Sequence, residues 1–255
     1  MQNIEKALAL LQGFKAEYEF GDKPPDDVVE FAKCVGWEDV REEESRSLVM
    51  WIGANSINGF LDKWQSDQEI SKEDGKAISR EHLNNVGLAV KYGFAWEIVS
   101  ALLFLKSDLP KELLLESVND LECSIVLSKE RYFKQAFQVL RNYCEICVSI
   151  MYFKRNKDKY AEWINDKNGW RFPEYREMLD ELGDYLADKE TRYLHSRYSE
   201  LNQSVHSKRR RLNMNIIRLE RASHDFDKKD ILNWSKKFIG IAKFMIELYI
   251  RKYFD

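Results

Sequence analysis

Phe133, Phe137, Leu140, Cys144, Cys147 and Met151 recur at steps of three and four residues. That spacing puts them on one stripe of a helix with about 3.6 residues per turn. Trp234, Phe238, Ile241, Met245 and Leu248 repeat the pattern near the other end of the chain. Leu83, Val86 and Val90 begin a third stripe, which runs into the almost wholly apolar FAWEIVSALLFL and predicts a helix buried on most sides. Strand-like alternation is hard to find, and only four prolines and eleven glycines punctuate 255 residues. The fold class read from the sequence is all-α.

The breaks fall where turn chemistry puts them. GDKPPDD (21–27) ends a first helix and offers aspartates as N-caps for the next. SDQEISKEDGK (66–76) is polar and separates two long helices. In KSDLPKE (106–112), Pro110 starts a new helix, with Ser107 or Asp108 as the expected cap. The stretch 155–175, holding Gly169, Pro173 and two tryptophans, reads as the longest irregular segment, its tryptophans exposed. Pro110 is the expected boundary between an N-terminal helical lobe (1–108) and a bundle (109–255) walled by helices over 130–154 and 229–254; one continuous domain is the alternative, because no flexible linker separates the halves.

With a net charge of −3, no global basic field advertises nucleic acid, so such a role needs a local patch. MQNIEKALALLQGF lacks a basic leader pattern, the four cysteines are scattered, and the apolar run Ala95–Leu105 contains Glu97 and is read as too short to span a bilayer. The expectation is a cytoplasmic chain with reduced thiols and no membrane contact. Cys144 and Cys147 have metal-ligand spacing, but they share the buried face of their helix and no second pair completes a set. They read as small hydrophobes, and no metal or other cofactor is expected.

Of the four histidines, His82, near a helix start, reads as a cap or surface residue, and His195 and His224 lie in charged surface segments. His206 has different company. On a helix Tyr198, Asn202 and His206 form one polar stripe beside the apolar Leu194, Leu201 and Val205. Lys208, Arg209, Arg210 and Arg211 follow at once. Cations can hold a phosphodiester while an imidazole moves a proton. Equally, a boundary histidine followed by a solvated basic helix end needs no function. Arg141 and Glu145 are spaced i,i+4 on a helix with few other polar residues between Ala136 and Phe153. Charged groups there need a partner, and the Asn202/His206 stripe is the expected one.

The Arg-x-x-x-Glu pair, the aromatic-rich MYFKRNKDKYAEW that follows, and Y-x-x-L-N-x-x-V-H-S together resemble the HEPN superfamily, and more narrowly its abortive-infection and phage-defence members, over residues 128–255. The resemblance implies a helical bundle, often a homodimer, and in many members a metal-independent endoribonuclease. The family signature is an Arg, four to six residues and a His, with a polar residue directly after the Arg. Here Arg197 precedes His206 with eight residues between, and the strict spacing occurs at Arg218/His224, where Leu219 takes the polar place. What the resemblance implies for this chain is RNA held along Lys208–Arg211, His206 as general acid or base, Arg141 on the phosphoryl oxygens, and Glu145 and Asn202 as orienting groups. The alternative is a non-catalytic interaction or regulatory subunit of a defence system, with the N-terminal lobe binding a protein partner. Binding of a nucleotide or other small phosphorylated ligand at the basic run is a third, weaker reading.

Overall fold

The computed structural model describes residues 2–15, 26–37, 80–129, 132–165, 171–205 and 228–254. Among the described residues the regular structure consists of nine helices and no strands. They are α1 (Gln2–Gln12), α2 (Asp26–Cys34), α3 (Arg80–Lys106), α4 (Lys111–Lys129), α5 (Phe133–Arg155), α6 (Lys157–Asn165), α7 (Tyr175–Glu181), α8 (Asp188–Val205) and α9 (Lys228–Tyr253). The SDQEISKEDGK break lies outside the described residues, as do His206, Lys208–Arg211, Arg218 and His224. His82 falls in the first turn of α3, but its side chain is likewise outside them.

The two stripes read from the sequence become the walls of the bundle. Along α5, Phe137, Leu140, Cys144, Cys147 and Met151 are all buried, as are Trp234, Phe238, Ile241, Met245 and Leu248 along α9. Helices α4 and α5 form a hairpin, and one hydroxyl stitches it to α9: Ser124 Oγ donates to the Ala136 carbonyl (3.0 Å) and accepts from Trp234 Nε1 (3.1 Å). Tyr249 of α9 donates to the Cys147 carbonyl of α5 (2.6 Å), so a buried phenol is satisfied where water cannot reach.

Helix α3 is the inner element. It packs on α4, α9 and α2, and Trp96 at its middle is fully buried, edge-on to Tyr143 (5.4 Å) and Tyr249 (5.0 Å). The segment Asn84–Leu105 within it is long and apolar enough to cross a membrane, which amends the shorter reading of this stretch; 72% of it is buried inside the protein, as in a core helix. Helices α1 and α2 close over its first half. Tyr92 donates to the Leu11 carbonyl (2.8 Å), and the buried Lys91 reaches Asp27 Oδ2 at 2.7 Å. Asp27, expected as a cap, is thus in the first turn of α2 and holds a lysine of α3.

Two expectations at breaks are corrected. Neither Ser107 nor Asp108 caps α4. Ser107 Oγ turns back to the Leu103 carbonyl, while Asp108 takes ion pairs from Lys154 and Lys157, leaving the Pro110 carbonyl to accept the first helical bond from Leu114. The 155–175 stretch is not irregular throughout, because α6 occupies its first half. None of the α6 residues is fully buried, and the helix is anchored from one side: Trp163 stacks on the buried Phe153 (5.3 Å, 8°) and meets Phe172 edge-on (5.4 Å). Trp163 is half-buried rather than exposed, and Tyr160 donates to Glu112 of α4 (2.6 Å). Such a short helix is marginal alone and depends on these contacts.

Candidate functional site

The charged pair on α5 meets α8. Arg141 lies 3.4 Å from Glu145 one turn on. From α8, Tyr198 accepts a hydrogen bond from Arg141 Nη2 and donates one to Glu145 Oε2 at 3.1 Å. The guanidinium carbon also sits 4.9 Å from the Tyr198 ring centroid, within cation–π range. Both members of the ion pair keep 28% of their side-chain surface, so the cluster is reachable from solvent. Arg141 Nε is buried and has no hydrogen-bond partner among the described residues.

Local sequence explains the placement. Helix α8 begins cleanly because Glu190 reaches back to accept the Ala187 N–H (2.9 Å), one half of a capping box at its first turn. Leu194 and Leu201 are buried as the apolar stripe requires, and Val205 packs against the core. That anchoring turns the next stripe, Tyr198 and Asn202, to the edge of the interface, where Asn202 is half-buried. A residue the sequence pattern does not single out completes the arrangement. Tyr175, at the start of α7, is buried and stacks on Tyr198 with centroids 3.8 Å apart and planes 8° apart. His195 meets the Tyr175 ring edge-on at 6.5 Å. Burial, then the Glu145 carboxylate, raises the Tyr198 phenol, with Arg141 opposing; burial raises Tyr175 further. Both phenols therefore stay neutral and act as hydrogen-bonding groups.

The structure thus joins two of the residues proposed from sequence, Arg141 and Glu145, and supplies a partner from the expected stripe one turn earlier than Asn202. His206 and the basic run Lys208–Arg211 lie outside the described residues. Arg197, the arginine that most closely precedes His206 in the sequence, is engaged elsewhere: it pairs with Glu200 (2.7 Å) and lies over the Tyr193 ring (5.0 Å). Cys144 and Cys147 are fully buried, and burial first of all raises both thiols, so neither offers a thiolate. Among the described residues no group of three or more His, Cys, Asp or Glu side chains is arranged to hold a metal ion.

Fold and site together define an all-α helical bundle with a half-exposed Arg–Glu–Tyr cluster between two of its helices. Among known proteins, no family model, curated protein or solved structure matches the chain.

Proposed function

We propose that the chain is a HEPN-like, metal-independent endoribonuclease of a bacterial defence or toxin setting. The observation that supports this most is the state of Arg141: a guanidinium oriented by Glu145 and Tyr198 that keeps 28% of its side-chain surface exposed. A preorganised cation of this kind stabilises charge building on phosphoryl oxygens. In this reading His206 takes the proton of a ribose 2′-hydroxyl as it attacks the adjacent phosphorus, or delivers one to the leaving oxygen. Lys208, Arg209, Arg210 and Arg211 hold the RNA backbone, and a homodimer is the expected assembly. The test is cleavage of RNA by the wild type and by His206→Ala at matched helical content. Cleavage should vanish in the variant and persist in excess chelator; loss with chelator and recovery with a divalent cation would rule the mechanism out.

A second reading rests on a specific observation too. Glu145 already compensates the charge of Arg141, and Tyr198 spends its hydroxyl on both. A self-contained polar tie between α5 and α8 suits a non-catalytic interaction or regulatory subunit whose N-terminal helices meet a protein partner.

A further inference from the structure

A guanidinium helps a reacting phosphoryl group most when it already stands where the charge will develop. Arg141 has a long, rotamer-rich side chain, and its ion pair with Glu145 is part-exposed, so that pair alone holds it loosely. Tyr198 adds two contacts: its hydroxyl accepts from Nη2, and its ring centroid lies 4.9 Å from the guanidinium carbon. The aim of the cation therefore depends on what holds the Tyr198 ring, which is itself only half-buried.

Its support is Tyr175. That ring is 5% exposed, lies parallel to Tyr198 (3.8 Å, 8°), and its hydroxyl donates to the Leu194 carbonyl (3.3 Å), one turn earlier on α8. Tyr175 thus grips α8 at two points a turn apart. It is fixed in turn by α7. A capping box joins Glu174 and Glu177 at the start of that helix, with the Glu174 N–H donating to Glu177 Oε2 at 2.8 Å. One turn on, the buried Met178 receives the Ser149 hydroxyl of α5 at 3.4 Å. Helix α7 therefore stands on α5, which carries Arg141, and braces the tyrosine of α8 that meets it.

We propose that Tyr175 is a positioning residue, which acts through Tyr198 to hold the Arg141 guanidinium in place for a phosphoryl group. This role rests on the nuclease reading for what Arg141 does, and on packing alone for how it is held. A parallel ring contact fixes tilt as well as distance, which an aliphatic side chain of similar bulk does not. The positioning role is thereby separable from the contribution of Tyr175 to the core.

The experiment compares the wild type with Tyr175→Phe, which keeps the ring, and Tyr175→Leu, which keeps bulk without a plane. Side-chain NMR of Arg141 reads the restraint directly. In the wild type and in Tyr175→Phe, rotation about the Nε–Cζ bond should be slow enough to give separate Nη proton signals; in Tyr175→Leu they should merge. A merged signal in the wild type, or separate signals in Tyr175→Leu, would overturn the positioning role whether or not RNA is cleaved. Tyr175→Met, which fills more of the ring's volume, replaces Tyr175→Leu if that variant does not fold. In RNA cleavage at matched helical content, Tyr175→Leu should lose on the order of a hundredfold in kcat with KM nearly unchanged, while Tyr175→Phe stays close to the wild type. A loss confined to KM, or an equal loss in Tyr175→Phe, would refute the role. If the wild type cleaves no RNA while the NMR pattern is as expected, the nuclease reading fails and the bracing of Arg141 stands.

Discussion

Tyr198 lies flat on Tyr175, their centroids 3.8 Å apart, while its hydroxyl accepts from Arg141 and donates to Glu145. One side chain thus ties three helices by two separable means, an apolar face and a polar tip. Tyr198→Phe keeps the stack and removes the tip, and should cost about 1 kcal/mol. Tyr198→Ala removes both and should cost about 3 kcal/mol or more. Denaturant unfolding of the two variants separates the contributions. Equal losses would mean that the stack carries nothing.

The Lys91–Asp27 pair joins α2 to α3, with only 4% of the lysine side chain exposed. Asp27→Asn removes the carboxylate charge that faces a buried ammonium and should destabilise by about 1–3 kcal/mol. Lys91→Met leaves a partly exposed aspartate instead and should cost less, since an apolar chain of similar length fills the site. Hydrogen exchange should report the loss in α1 and α2 before it reaches α5.

Removing the Trp163 ring should loosen α6 without unfolding the molecule, because what remains is the Tyr160 ring against Phe153 (5.5 Å) and side-chain bonds: Lys157 to Asp108 (2.8 Å), Lys159 to Glu181 (2.9 Å) and Tyr160 to Glu112. For Trp163→Ala the expected loss is about 3 kcal/mol at most, with amide protection falling over 157–165 and unchanged along α5.

Gly93 and Gly240 sit in helix interiors and should respond differently to alanine. At Gly240 the nearest obstacle is the Tyr193 hydroxyl at 3.4 Å, an ordinary contact, so Gly240→Ala should stabilise by up to about 1 kcal/mol through helix propensity. At Gly93 the new methyl meets Ile125 Cδ1 at 3.2 Å, which absorbs part of that gain. Gly93→Ala should therefore stabilise less, and the difference should shrink in an Ile125→Val background. Thermal melts of the four variants test the ordering.

Binding and chemistry in the proposed nuclease draw on different residues. Replacing Lys208, Arg209 and Arg210 together by Gln should weaken RNA binding and flatten the dependence of log K on log salt, by roughly 0.7 for each phosphate that is no longer neutralised. His206→Ala should leave that slope untouched. If the triple variant binds with unchanged affinity and slope, the basic run is a solvated surface and the interaction-subunit reading gains.

The long helices are legible in the sequence because their apolar stripes are amphipathic over many turns, as Phe137 to Met151 and Trp234 to Leu248 are. Helix α6 is not, because Tyr160 and Trp163 are its only anchoring face and their partners, Phe153 and Phe172, lie in other segments. Ser107 and Asp108 have the chemistry of caps, but lysines folded back from the end of α5 and the start of α6 claim Asp108. At the site, Arg141 and Glu145 are visible because one helix carries both. Tyr198 lies in the expected stripe, but its priority over Asn202 depends on the packing of α5 against α8. Tyr175 gives no periodic signal, since a ring stack between distant segments leaves none.

The inner helix α3 is covered by α9, which is synthesised well after it. About 120 residues separate the end of one from the start of the other, so at ribosomal rates of about 5–20 residues per second the apolar Asn84–Leu105 segment waits on the order of ten seconds for its cover. During that interval it has the length and composition of a membrane-spanning helix and competes for lipid, for chaperones and for other nascent chains. A chain truncated before α9 leaves the face of α3 that packs on α9 uncovered.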